Sequence, residues 1–209
     1  MNIVKEFLYN NKSAQIIDQF LTDDEHKTFI MMMEQATWRS TGHSDDKHPS
    51  KNLQLTLVGK EQSLLKDDDI FNHIRVKIER HIGLKFKIRQ CYFNNYQFGS
   101  ESGIHFDEIQ VGKKSYTVII PIHEEWDADW HGATLLYNDD KTQIVGGSVP
   151  MPRQAFLFDS RFNHGVEPIS RYCSKHRVVL VYMLEDITED NGDTEKTAKN
   201  YIDNYNLSN

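Results

Sequence analysis

The chain has 209 residues, a formal net charge of −7 and 38% hydrophobic residues, which is enough length for one sizeable core in an ordinary globular composition. No apolar run reaches membrane-spanning length, the start MNIVKEFLYNN lacks a secretory-signal pattern, and two cysteines, Cys91 and Cys173, are too few for a disulfide framework or a cysteine metal cluster. These features predict free thiols and a cytoplasmic protein, and the acidic balance argues against non-specific nucleic-acid binding, which needs clustered Lys and Arg.

In chain order, AQIIDQF reads as a short strand. Thr22 followed by Glu25 is a capping box that opens a helix over 23–36, with Phe29, Ile30, Met33 and Ala36 at helical spacing. The methionines there are core filler rather than a cofactor box. Residues 39–52, RSTGHSDDKHPSKN, are polar and broken by Gly and Pro, so they read as a loop. LQLTLV alternates like a strand, and Ile70, Ile74, Ile78 and Ile82 step along a second helix over 68–82. After Gly83 come short β-like runs separated by turn residues: KFKIRQCYFNNYQF, GIHF, SYTVIIPI, ATLLYN, QAFLFD and RVVLVYML. That is the signature of an antiparallel sandwich or barrel. The residues therefore predict an α+β fold, two N-terminal helices packed on a C-terminal β-sandwich. They predict one domain over 1–184, its β-core at about 84–184, and an acidic extension at 185–209. The extension holds seven acids and two lysines, a net of −5 out of −7, and no function is assigned to it.

Two His-x-Asp pairs occur, His43-Ser44-Asp45 and His105-Phe106-Asp107, a spacing that chance alone can produce in a chain with ten histidines. On a strand, residues two apart point to one face, so His105 and Asp107 would project together and offer one nitrogen and one oxygen to a first-row metal. FLFDSRFNHGVEP places His164 just after an apolar strand, where a sandwich can bring it beside the first pair. SKHRVVLVY places Arg177 at the start of another apolar strand, 13 positions after His164. A buried arginine is costly without an anion, and its fork suits a ligand carboxylate. His43 and Asp45 lie in the polar loop with no such sequel, so the second pair carries the weight. A surface hydrogen-bonded pair is the plainer reading of either motif taken alone.

His105-x-Asp107, His164 and Arg177, in this order, resemble the iron(II)- and 2-oxoglutarate-dependent oxygenases, and within them the prolyl-4-hydroxylase-like branch. IIDQFLTDDEH, WDADWHGATLLYN and RQAFLFDSRFNHGVEPISRYCSKHR support the likeness, which runs over roughly residues 15–184. The resemblance implies a double-stranded β-helix (jelly-roll, cupin-like) core. It implies His105, Asp107 and His164 as iron(II) ligands and Arg177 as partner of the 2-oxoglutarate carboxylate. Asn94 and Tyr96 stand where some members place groups touching the cosubstrate. Animal prolyl hydroxylases often have a tyrosine on the strand after the His-x-Asp, but here the aligned position is Pro121, with Ile119 two before it. Tyr116 or Tyr96 would then supply the hydroxyl, and Lys175 is a rival to Arg177 because the His164–Arg177 spacing is longer than usual. KNLQL at 51–55 resembles a segment flanking the active site in some bacterial hydroxylases, so Asn52 or Gln54 could face substrate, although a polar strand start is the plainer account of them.

The implied activity is a dioxygenase that uses iron(II), 2-oxoglutarate and O2, with ascorbate a candidate auxiliary. It would hydroxylate an unactivated carbon of a prolyl or other amino-acid residue, a free amino acid or a small metabolite, releasing succinate and carbon dioxide. The alternatives are a non-catalytic metal- or carboxylate-binding jelly roll, a sugar-binding jelly roll, and a nucleic-acid dealkylase supported only by Asn94-x-Tyr96. The implied partner is a peptide, protein or small molecule, with no membrane. His123 is expected in a loop, His131 in solvent, and Trp126 and Trp130 either at a substrate lip or covering the sandwich edge. Loops 39–52 and 123–132 are the places for specificity, because loops on a rigid scaffold usually carry it.

Overall fold

The chain opens with a hairpin, β1 (Asn2–Tyr9) and β2 (Lys12–Asp18). Its turn residues Asn10 and Asn11 have φ of 46° and 59°, left-handed values that asparagine tolerates and that match the twist of a tight hairpin. The computed structural model describes residues 2–39, 43–45, 48–49, 53–58, 69–107 and 113–188. β1 is a strand beyond the single one expected in this region. It is an edge strand whose side chains are mostly exposed, so it shows no clean apolar alternation.

Helix α1 (Asp23–Glu34) starts at the capping box, with Thr22 Oγ1 accepting from the Glu25 amide at 3.2 Å and Glu25 Oε2 accepting from the Thr22 amide at 2.7 Å. β3 (His43–Asp45) and β4 (His48–Pro49) form a two-stranded ladder inside the segment expected to be loop, and β5 (Leu53–Val58) follows. Helix α2 (Ile70–Ile82) is capped by Asp69 and ends at Gly83, whose φ of 78° is a conformation that glycine adopts without penalty. The remaining strands are β6 (Phe86–Tyr96), β7 (Ser102–His105), β8 (Ser115–Pro121), β9 (Thr134–Tyr137), β10 (Ile144–Ser148), β11 (Ala155–Asp159), β12 (Asn163–Val166) and β13 (Arg177–Asp186). Asn52 and the tail from 189 onward lie outside the described residues.

The strands make a seven-stranded sheet, β1-β2-β11-β8-β13-β6-β5, and a four-stranded sheet, β10-β9-β12-β7, with antiparallel pairing throughout. They are the two layers of a jelly roll, as expected. Alternation along the central strands sends one set of side chains to each face. Val118 and Ile120 of β8 and Val178, Leu180, Tyr182 and Leu184 of β13 pack with Phe29 of α1 and Ile74 and Ile78 of α2. Both helices therefore cover the outer face of the larger sheet. The inner face meets the smaller sheet through Ile119, Phe156, Phe158, Val179 and Val181 against Leu136 and Val166. Each fully buried aliphatic side chain is worth roughly 2–3 kcal/mol of removal from water.

β13 runs on through Glu185 and Asp186, two residues that composition assigns to the acidic extension. Glu185 is buried, yet it pairs with Arg89 and, at 3.1 Å, with Lys113, so its charge belongs to the sheet. No described helix is long and apolar enough to cross a membrane.

Candidate active site

His105 closes β7 and His164 sits in β12, directly opposite it in the ladder. The two rings stand 4.4 Å apart. Asp107 lies two residues past β7, held where its amide donates to the Ser160 carbonyl at 2.9 Å. His105 Nε2 is 3.5 Å from Asp107 Oδ1, and His164 Nε2 is 3.3 Å from Asp107 Oδ2. One donor atom from each of the three falls within 4.8 Å of the others, and they are the only such group found among the described residues.

The rings are oriented by their other nitrogens. His105 Nδ1 meets the Gly103 carbonyl at 2.8 Å, and His164 Nδ1 meets the Phe162 carbonyl at 3.1 Å. A carbonyl only accepts, so each Nδ1 carries a proton and each Nε2 is turned toward the carboxylate. Burial alone would raise the Asp107 pKa, but the facing His164 and His105 imidazoles outweigh it and hold the carboxyl well below the usual range. For His105, burial pulls the pKa down, and the Asp107 hydrogen bond and charge more than reverse it. Two imidazoles and one carboxylate converging in this way suit a divalent first-row cation such as iron(II), which would displace the shared proton. Asp107 Oδ2 also accepts from Thr117 Oγ1 at 2.9 Å, and Thr117 Oγ1 lies 3.1 Å from Ser160 Oγ.

Arg177, the first residue of β13, is 1% exposed. Its Nη2 donates to Thr134 Oγ1 at 3.0 Å, its guanidinium lies 5.2 Å from the centre of the Tyr96 ring, and its Nε has no partner among the described residues. Burial drags its pKa down to about 10, against the opposing pull of Tyr96. Arg177 lines a small cavity with Thr134, Ser148, Gln154, Ile119 and Pro121. A fully buried cation facing a cavity, with no anion beside it among the described residues, has the chemistry to receive a carboxylate.

Tyr96 and Asn94 share this inner face, with Asn94 Nδ2 3.4 Å from Tyr96 Oη. Tyr116 does not. It sits one residue out of phase, on the helix-facing side, edge-on to Phe86 at 5.6 Å, so the alternation of β8 takes its hydroxyl away from the metal cluster. Lys175 pairs with Glu125 at 2.7 Å near the surface and is not in the cavity. His131 is exposed, as expected, and turns the chain at φ 58°. Trp126 is buried and stacks on His123 at 4.6 Å, and Trp130 meets it edge-on. Motif spacing does not single out Thr117, Thr134 or Ser160. Thr117 does leave a signal, as a lone polar residue in the apolar run YTVIIPI, at the phase opposite to Val118 and Ile120.

Residues 91–185 match the family model of the 2OG-Fe(II) oxygenase superfamily. No curated protein matches the sequence. Among solved structures, the chain is similar to a 2OG-Fe(II) oxygenase family oxidoreductase from Burkholderia pseudomallei, with a TM-score of 0.67 at 14% identity over 82% of this chain and 84% of that one. It is similar to a Pseudomonas putida prolyl-4-hydroxylase, with a TM-score of 0.59 at 16% identity over 82% and 91% of the two chains. A Trichoplax adhaerens prolyl hydroxylase, solved with a hypoxia inducible factor oxygen degradation domain peptide fragment, gives 0.60 at 15% identity over 85% and 84%. At these identities the structures establish the shared fold. Over residues 91–185 the chain is thus similar to the 2OG-Fe(II) oxygenase superfamily, whose members work with iron(II), 2-oxoglutarate and dioxygen.

Proposed function

We propose that this protein hydroxylates an unactivated carbon of an amino-acid unit, a prolyl or other residue of a peptide or a free amino acid, with release of succinate and carbon dioxide. The observation that carries the reading is the buried, anion-less Arg177 on the same inner face as the His105, Asp107 and His164 cluster. Prolyl-hydroxylase-like neighbours, one of them holding a peptide, support the choice of substrate class.

His105, Asp107 and His164 would hold iron(II) through two Nε2 atoms and a carboxylate oxygen. Bound iron would supply the oxidative decarboxylation of 2-oxoglutarate by dioxygen and the hydroxylation coupled to it. Arg177 would bind the far carboxylate of 2-oxoglutarate, with the Thr134 hydroxyl beside it and the Tyr96 ring holding the guanidinium flat. Asn94 lies on the same face, two residues from Tyr96, and its Nδ2, beside Tyr96 Oη, is the candidate for a further contact to the cosubstrate. Ile119 and Phe156, which line the cavity, would exclude water from the bound oxo acid. The two Nδ1–carbonyl hydrogen bonds orient both rings so that each Nε2 is turned toward the metal position.

Anaerobic titration with iron(II) and then 2-oxoglutarate tests the reading, followed by the weak visible charge-transfer band of the chelate. A band is expected with both together and is lost in His164→Ala. Arg177→Gln should raise the 2-oxoglutarate requirement at least tenfold, about 1.4 kcal/mol, while iron affinity changes less. Equal effects on both ligands, or no band from the folded wild type, would overturn the assignment.

A further inference from the structure

The inner face of the larger sheet changes character part-way across. On β11, β8 and β13 it presents Phe156, Phe158, Ile119, Pro121, Val179 and Val181 around Thr117 and Arg177, which the metal cluster and cavity use. On the next two strands it presents Tyr92 and Asn94 of β6 and Gln54 and Thr56 of β5. These four form two cross-strand pairs, Gln54 opposite Asn94 and Thr56 opposite Tyr92. Their orientation is fixed by their neighbours. Cys91, Phe93, Leu55 and Leu57 pack into the helix-facing cluster, so alternate positions point the other way.

The row continues one chain further. Arg39 and Gln54 exchange both backbone hydrogen bonds, at 3.1 and 2.8 Å, and Trp38 packs on the helix side, so alternation puts Arg39 on the Gln54 face, where it is exposed at the rim of the sheet. Arg39, Gln54, Asn94, Val179 and Pro121 thus lie in register, and Pro121 lines the Arg177 cavity. At about 4.8 Å per strand, the Arg39 backbone stands roughly 10 Å from Asn94.

Apart from Asn94 Nδ2, which meets Tyr96 Oη, the side-chain polar atoms of this row lack partners among the described residues. Asn94 is 8% exposed and its Oδ1 accepts no hydrogen bond. A buried acceptor left unfilled is costly. Among the described residues, the side chains of Gln54, Thr56 and Tyr92 and the Arg39 guanidinium have no hydrogen-bond or ion-pair partner either. Tyr92 stands near the metal cluster. Burial first and then the Asp107 charge push its phenol pKa well above the usual value, so it remains a hydroxyl donor.

We propose that this row is the subsite for the substrate that is hydroxylated, and that it takes an amino acid or short peptide bearing a carboxylate. An N–H of the ligand would fill Asn94 Oδ1, its amides would pair with Gln54 and Tyr92, and its carboxylate would meet the Arg39 fork. The inference rests on the oxygenase reading and narrows its substrate.

The test compares matched acids and amides: L-proline with L-prolinamide, and N-acetyl-glycyl-L-proline with its amide. Two quantities are read, stimulation of succinate release above the uncoupled rate and, anaerobically, broadening of ligand proton signals by Mn(II) in place of iron with 2-oxoglutarate present. The acids should bind at least tenfold better than the amides. Arg39→Gln should erase that difference and Arg39→Lys should keep part of it. Arg80→Gln, on the exposed side of α2, should change nothing. Equal binding of acid and amide, an unchanged preference in Arg39→Gln, or no response to either acid while uncoupled succinate release persists would each overturn the subsite. No succinate release and no chelate band in any condition would overturn the oxygenase reading and the subsite with it.

Discussion

The two faces of the seven-stranded sheet are built by the same strands and serve opposite ends. Its helix-facing side is almost wholly apolar, from Phe29 and Ile74 on the helices to Ile120 and Leu180 on the sheet. Its inner side carries Thr117, Asn94, Tyr96 and Arg177 at alternate positions of those strands. A pleated strand lets one residue in two maximise stability while the next gives some of it up. The burial of Arg177 without an anion and of Asn94 Oδ1 without a donor are costs that a folding-only sheet would avoid.

Substitution on each face should separate the two. Asp107→Ala should reduce iron-dependent succinate formation to background while the thermal midpoint of the metal-free protein changes little. Ile120→Ala, across the sheet, should lower stability by about 2–5 kcal/mol and leave the iron affinity of the folded protein unchanged. Denaturant melts and metal titrations of both variants check the pair. Loss of fold in Asp107→Ala, or weakened iron binding in Ile120→Ala, would break the division between faces.

Periodicity and caps make much of this fold legible in the residues alone. The capping box at Thr22, the isoleucine steps of α2 and the strands after Gly83 stand where their spacing puts them. His105, Asp107 and His164 can be grouped because their order along the chain follows a pattern of strands. What stays hidden depends on phase and pairing. Tyr116 looks like a candidate because it lies on the strand after the metal motif, yet the pleat turns it to the helices and gives the inward position to Thr117. β1 has no apolar stripe to betray it, since its outer residues face water. The β3–β4 ladder forms in a polar stretch where backbone pairing needs no hydrophobic pattern.

Thr117 gives a finer cut. It is 1% exposed and fixes the Asp107 carboxylate from beneath, with Ser160 beside it. Thr117→Val keeps the volume and removes the hydroxyl, so iron affinity should fall about 10–100-fold. Thr117→Ser should retain most of it. Co(II) titration followed by its d–d absorption reads this without turnover. Equal affinity in Thr117→Val would make the threonine packing alone, and the inner face would owe less to its polar residues than the contrast with the helix-facing side requires.

The smallest effect lies at the seam between the faces, where His123 follows β8 and is 7% exposed with neither ring nitrogen paired. Burial first, then the charges of Arg177, His26 and Lys175, push its pKa from the ordinary 6.5 down to about 3. The unfolded chain therefore binds a proton near pH 6.5 that the folded chain refuses until far lower. Stability from this group is present above pH 6.5 and drains away as the pH falls, by about 1 kcal/mol between pH 6.5 and 5.5. His26, lowered mainly by burial, acts in the same direction. His105 acts in the opposite one in the metal-free protein, because its folded pKa is raised and its contribution grows on acidification. The His123 share is isolated by His123→Phe, which keeps a ring against Trp126 and cannot titrate. Stability measured at pH 7.5, 6.5 and 5.5 should fall more steeply in wild type than in the variant. Parallel slopes would mean that the imidazole is already protonated in the fold and paired, which would place an acceptor beside a ring that, among the described residues, stacks on Trp126 and meets like charges.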